Sequence, residues 1–170
     1  MEFELHPSIV LQSGTWSILI APESFVVQAL NERLSTIERF LVLYVCGNYS
    51  RVLSKIHRRY SNFDIQRSFT AFQLLRILDD SHHTFIFVEY DPTLFDEDTG
   101  LVEHLPQAFT DVARHATIVL HTPVSDRIIN ELAKHADRVF CLGLPSPERR
   151  TAISHAGSHL AETQTTLEAF

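Results

Sequence analysis

The sequence predicts an α/β domain of three layers, α/β/α, around a mostly parallel central sheet. Short apolar, β-favouring runs recur at 15–21, 39–46, 65–69, 84–91, 117–121 and 138–144. Stretches with helical periodicity stand between them, and about six alternations with short connections are the pattern of right-handed βαβ units. The run at 84–88 is continuously apolar rather than alternating, as expected of a strand covered on both faces.

Each element follows from local signals. Residues 1–14 are mixed and end at Ser13-Gly14, a turn signal; they are expected to form an edge strand or to lie across the domain. After the strand at 15–21, Pro22-Glu23-Ser24 suits a first helical turn, where a missing N–H is harmless and negative charge is favoured. That helix is expected to reach residue 37, with Phe25, Ala29, Leu30, Leu34 and Ile37 inward. Gly47-Asn48 closes the second strand, and Ser50 is placed to cap a helix over 51–60. Thr70 caps the next helix, with Phe72, Leu75 and Leu78 expected inward.

The strand at 84–91 ends in Glu89 and Asp91, and Pro92 forbids further ladder bonding. A polar loop at 95–100 leads into a helical stretch at 101–115, in which Pro106 marks a kink or the true start. Thr122-Pro123 ends the fifth strand, and Ser125 precedes a helix to residue 136. The expected organisation is an N-terminal extension at 1–14, a core at 15–145 and a polar, mobile tail at 146–170.

Composition sets the broad class. The 170 residues suit one domain, 45% hydrophobic and 21% charged, as in globular proteins generally. A formal charge of -7 argues against a dedicated nucleic-acid binder while leaving room for a local basic patch. Cys46 and Cys141 lie in apolar runs and are expected to be buried thiols, consistent with a reducing cytoplasm. No apolar run reaches the ~18 residues of a membrane span, and Met-Glu-Phe-Glu does not open a signal peptide. The expectation is a cytoplasmic protein.

The motifs speak mostly by what they lack. A P-loop needs glycines so that backbone N–H groups can wrap phosphates, a lysine for their charge, and Ser or Thr for magnesium. The first strand–helix junction reads Ile20-Ala-Pro-Glu-Ser-Phe-Val27, without glycine and with Glu23 where a phosphate would sit. Lys55 and Lys134 are the only lysines, and neither follows a glycine-rich loop. Glu89 and Asp91, two residues apart, could flank one ion, but a solvated strand end is the commoner meaning of such a pair. Arg51, Lys55, Arg58 and Arg59 recur at helical spacing with Arg67 shortly after, a candidate surface for an acidic partner or a phosphate backbone. No histidine pair has zinc-ligand spacing, and no serine or cysteine has a nucleophile-elbow context. No catalytic, cofactor-binding or metal residue is assigned.

The segments LVLYVC, RVLSKIHRRYS, IQRSFTAFQLLRIL, TFIFVEYD and TIVLHTP, in that order, resemble the core of the RecA/RadA/KaiC superfamily of ATPases. The resemblance spans about 120 residues, from 15 to 144, and implies a RecA-like sheet in which 84–91 is the Walker B strand and Asp91 its metal-contacting position. Two departures accompany it: the Walker A loop is missing at 21–27, and Gly47-Asn48-Tyr49 stands where a catalytic glutamate follows the second strand. The chain therefore resembles non-hydrolysing members of the superfamily, such as recombinase paralogues, SulA-type division inhibitors and Elongator accessory subunits. The implied role is a non-enzymatic interaction module, without cofactor, that assembles with a RecA/RadA-type ATPase or with itself in DNA recombination or repair. The alternatives are a SulA-like regulator of a polymerising protein, or an enzyme with a non-standard nucleotide or metal site at Glu23, Glu89 and Asp91.

Overall fold

The computed structural model describes residues 2–37, 39–57, 62–95 and 99–142. The chain opens with an antiparallel hairpin, β1 (Glu2–His6) and β2 (Ile9–Gln12), turned towards the sheet by Gly14 at φ 80°. There follow β3 (Trp16–Ile20), α1 (Glu23–Glu32), the short α2 (Leu34–Ile37) and β4 (Val42–Cys46). A single 3-10 turn at Leu53–Lys55 leads to β5 (Phe63–Arg67), α3 (Ala71–Asp79) and β6 (Phe85–Glu89). Two more 3-10 stretches, Pro92–Phe95 and Thr99–His104, precede α4 (Leu105–Ala113), β7 (Thr117–Thr122), α5 (Arg127–Leu132) and β8 (Arg138–Cys141).

The six strands β3–β8 form one sheet in the order β5-β4-β6-β7-β3-β8, and every pairing is parallel. The architecture is a three-layer α/β/α sandwich of the Rossmann or RecA-like kind. Because side chains alternate across a strand, each central strand feeds two cores. Leu19, Val42, Tyr44, Phe85, Phe87 and Val119 pack beneath α1, α2 and the hairpin. Trp16, Ile18, Leu43, Val45, Ile86 and Leu120 pack against α3, α4 and α5 on the other side. Trp16 stacks on Phe109 of α4 at 5.0 Å, and burying side chains of this size stabilises by about 1.5–3 kcal/mol each.

The strand order follows from which face each connection uses. Chain leaving β3 and β4 crosses the α1 face, whereas chain leaving β6 and β7 crosses the α3–α5 face. Neighbouring strands whose exits diverge, β4 beside β6 and β7 beside β3, open a crevice at their carboxyl ends.

Several expectations need correction. Of the helix expected over 51–60, the described residues 51–57 form one 3-10 turn. Ser50 does accept the Leu53 N–H at 2.9 Å, but the Arg51 N–H goes to Glu89 and Ile56 turns extended (φ -82°, ψ 132°). Arg51 and Lys55 therefore do not share the face of an α-helix, and Arg58 and Arg59 lie outside the described residues. The third strand begins two residues earlier than expected, at Phe63, and Phe69 is exposed. Thr70 does cap α3, accepting the Gln73 N–H at 3.1 Å, but Ala71, Leu74 and Leu78 face inward while Phe72 is 59% exposed.

The first helix stops at Glu32 and resumes only as α2. Pro106 marks the start of a helix at Leu105, its lost N–H costing nothing in the first turn. Asp126, not Ser125, caps α5, accepting the Ile129 N–H at 2.8 Å. Cys46 is buried but Cys141, on edge strand β8, is exposed. Of the N-terminal extension, residues 2–12 lie across the α1 face as the hairpin. Residues 96–98 and the 146–170 tail fall outside the described residues. Among those described, no helix is long and apolar enough to cross a membrane.

Candidate functional site

The crevice beyond the four central strands is a cavity of about 600 Å³, a size that suits a small molecule. Its floor is built by strand alternation. Glu89 continues the series Phe85, Phe87 on β6, and His121 continues Val119 on β7, so both point towards the α1 face where Tyr44 and Cys46 also lie. Glu89 and His121 are direct neighbours in the β6–β7 register.

Glu89 is held by three donors. The Tyr44 hydroxyl donates to its Oε2 at 2.7 Å, the Ser50 hydroxyl donates to the same oxygen, and the Arg51 backbone N–H donates to Oε1 at 3.1 Å. Burial, reinforced by the Glu89 carboxylate, pushes the Tyr44 phenol far above its ordinary range, so it stays protonated as a donor.

Asp91 lies just past the end of β6 and is held separately. Its Oδ1 accepts from the Thr93 N–H at 3.0 Å and from the Thr93 hydroxyl at 2.7 Å, a local turn that starts the 3-10 stretch after Pro92. The carboxylate lies against Gly47, where a side chain would collide with it. The two acids thus line one cavity while their hydrogen bonds come from different loops. Among the described residues, no group of three or more His, Cys, Asp or Glu is arranged to hold a metal.

The strand–helix junction is short. Only Ala21 and Pro22 separate β3 from α1; the Ala21 N–H is bonded to Thr122 O at 3.0 Å, and the Phe25 N–H to Pro22 O at 3.0 Å. With no glycine-rich loop between β3 and α1, the junction lacks the wrap of successive N–H groups that a P-loop gives a phosphate. Glu23 in the first turn pairs with Arg51 at 3.4 Å.

His121 is the residue that sequence reasoning passed over. It is 1% exposed, its ring lies 5.9 Å from Phe87, and its Nε2 bonds the Ala21 carbonyl at 3.0 Å. A carbonyl only accepts, so Nε2 carries the proton and Nδ1 presents a lone pair. That Nδ1 is buried without a hydrogen-bond partner. Burial pushes the imidazole below its ordinary value, against the opposing pull of the Ala21 carbonyl and of the Glu89 and Glu23 charges. The available signal was a polar residue closing the otherwise apolar run TIVLH. Burial likewise pushes the Cys46 thiol up, with Arg67 partly offsetting it, so it is a poor nucleophile at neutral pH.

Of the expected basic surface, Arg51 and Lys55 are exposed, Arg51 with its partner Glu23. Arg67 donates to the carbonyls of Gly47 and Asn48 and so staples the β4 exit to the end of β5. At this corner of the sheet Tyr49 is 85% exposed and Phe69 is 56% exposed.

No protein-family model matches the chain. An uncharacterized protein from Archaeoglobus fulgidus is 36% identical over 126 residues, a match covering 74% of this chain. The chain spans 63% of that relative's length. The structure of C. elegans PCH-2 aligns at 15% identity with a TM-score of 0.38, over 78% of this chain and 36% of that one, a likeness too slight to argue from.

Proposed function

We propose that this is a RecA-like interaction module without nucleotide hydrolysis, which assembles with a RecA/RadA-type ATPase in DNA recombination or repair. The observation that carries the reading is the group of exposed aromatics, Tyr49, Phe69 and Phe72, at the carboxyl ends of β4 and the edge strand β5. Large aromatic side chains presented to solvent beside an arginine are the composition of a protein contact. The lack of a glycine-rich loop at the Ala21–Pro22 junction supports the non-catalytic half of the proposal. DNA contact is secondary, because Arg51 and Arg67 are engaged within the chain.

The test is affinity capture of the tagged protein from native lysate, beside a Phe69→Asp, Phe72→Asp variant. The proposal expects an ATPase of this class with the wild type and its loss with the variant. Recovery of the protein alone, or of a polymerising division protein instead, would overturn it.

A further inference from the structure

One edge of the sheet carries unused bonding capacity. β5 is an edge strand, and among the described residues only β4 pairs with it. The Val42 N–H donates to the Asn62 carbonyl and the Ser68 N–H to the Cys46 carbonyl, both at 2.9 Å. In a parallel ladder alternate residues face the neighbouring strand, so Asp64 and Gln66 also bond towards β4. The N–H and C=O groups of Phe63, Ile65 and Arg67 therefore point outward along the edge.

The side chains of these three residues lie on the α1 face, in register with Val42, Tyr44 and Cys46. Phe63 and Ile65 are only half-buried there, and the described part of the β4–β5 connection contributes a single 3-10 turn. An unpaired edge lined by half-buried apolar groups is a template for another strand. Short length and charge normally blunt such an edge, and Asp64 and Arg67 do so against most strands. Against a second copy of β5 they do not.

Consider antiparallel pairing about a two-fold axis through Ile65, normal to the sheet, which keeps the α1 faces of both copies on one side. Ile65 then meets Ile65 and Phe63 meets Arg67. All of these face outward, so each pair exchanges two backbone hydrogen bonds. On the α1 face Phe63 covers the Arg67 stem and the two Ile65 side chains touch. On the other face Asp64 stands opposite Gln66, so no two like charges are opposed. Asp64 Oδ2 is bonded to His83 Nε2 at 2.9 Å, which leaves Oδ1 to accept from the Gln66 amide.

We infer that β5 is the interface of a homodimer, in which two copies of this chain join antiparallel at Ile65 and continue one sheet across the two-fold axis. Pairing consumes the β5 edge of both copies, so this contact closes at two. A contact built on five-residue strands falls at the small end of specific interfaces, so dissociation at about 1–100 µM is expected. The inference is independent of the ATPase partner, whose aromatic contact at Tyr49, Phe69 and Phe72 lies outside the paired residues.

The experiment is sedimentation equilibrium of the purified full chain from about 1 to 500 µM, with amide exchange followed by NMR at both extremes. The wild type is expected to pass from monomer to dimer, and the Phe63, Ile65 and Arg67 amides to gain protection at high concentration. Gln66 is exposed, so replacing it leaves the core intact. Gln66→Glu sets a carboxylate opposite Asp64 of the second copy and should weaken the dimer; Gln66→Lys sets an ammonium there and should tighten it. The symmetry repeats each pair, so each shift is expected to be about three- to tenfold. A monomer at every concentration would leave the edge to a strand of a different protein and overturn the inference. Assemblies beyond the dimer, no gain of protection at those three amides, or a dimer indifferent to both Gln66 variants would overturn it too.

Discussion

The Asp91 carboxylate occupies the space that a side chain at Gly47 would need. A Cβ built on Gly47 falls on Asp91 Oδ2 and 3.0 Å from its Cγ, although the Gly47 backbone is not in the positive-φ region. Glycine is required here for close approach and not for conformation. It lets the ends of β4 and β6 meet at the floor of the crevice.

Gly47→Ala should therefore destabilise by about 1–3 kcal/mol, since Asp91 must swing away and give up Thr93. In an Asp91→Ala background the same substitution should cost markedly less, a coupling of about 0.5–3 kcal/mol. Urea midpoints of the four proteins in the cycle measure it. Additive effects would mean that the two side chains do not share the space.

Glu89→Ala should cost about 1.5–3 kcal/mol, because it strands the buried Tyr44 hydroxyl and frees Ser50 and the Arg51 N–H. Adding Tyr44→Phe should recover part of that loss, since an apolar ring needs no acceptor. Chemical denaturation of the single and double variants reads the recovery directly.

His121 predicts a pH dependence with a definite sign. Its native pKa lies below the ordinary value of 6.5, so between the two values the unfolded chain binds the proton and the folded chain does not. Stability should be flat above about pH 6.5 and fall as pH drops below it, by at most about 1.4 kcal/mol per pH unit from this group. It should level off once the native imidazole titrates. His121→Phe should flatten this segment of the stability–pH curve.

Arg67, the last residue of edge strand β5, bridges two carbonyls with one guanidinium nitrogen, those of Gly47 and Asn48 just past β4. Arg67→Ala should speed amide exchange at Asn48 and Tyr49 while leaving the global stability changed by about 1 kcal/mol or less. Arg67→Lys should restore only part of the protection, since the lysine ammonium is more strongly hydrated and sits on a more flexible stem. Hydrogen exchange followed by NMR separates these outcomes.

Much of the fold was legible because its signals are local. The apolar runs that became β3, β4, β6 and β7, the Thr70 cap, the Ser50 acceptor and the role of Pro106 all depend on neighbours a few residues away. Reading failed where distant groups competed. The stretch after Ser50 has helical spacing, yet Glu89, on a strand almost forty residues later, takes the Arg51 N–H and holds the Ser50 hydroxyl. Helical spacing also placed Phe72 inward, but the sheet meets α3 on the Ala71, Leu74 and Leu78 side.

By itself the sequence determined the alternation of strands and helices, the apolar central strands and the absence of a glycine-rich loop at the first junction, because periodicity and turn chemistry act within a few residues. Only the tertiary structure decided the strand order, the bond from the Ala21 N–H to Thr122, the contact of Gly47 with Asp91 and the orphaned Nδ1 of His121. These depend on pairings between segments far apart in the chain. The faces chosen by the crossovers set those pairings, and no local pattern encodes them.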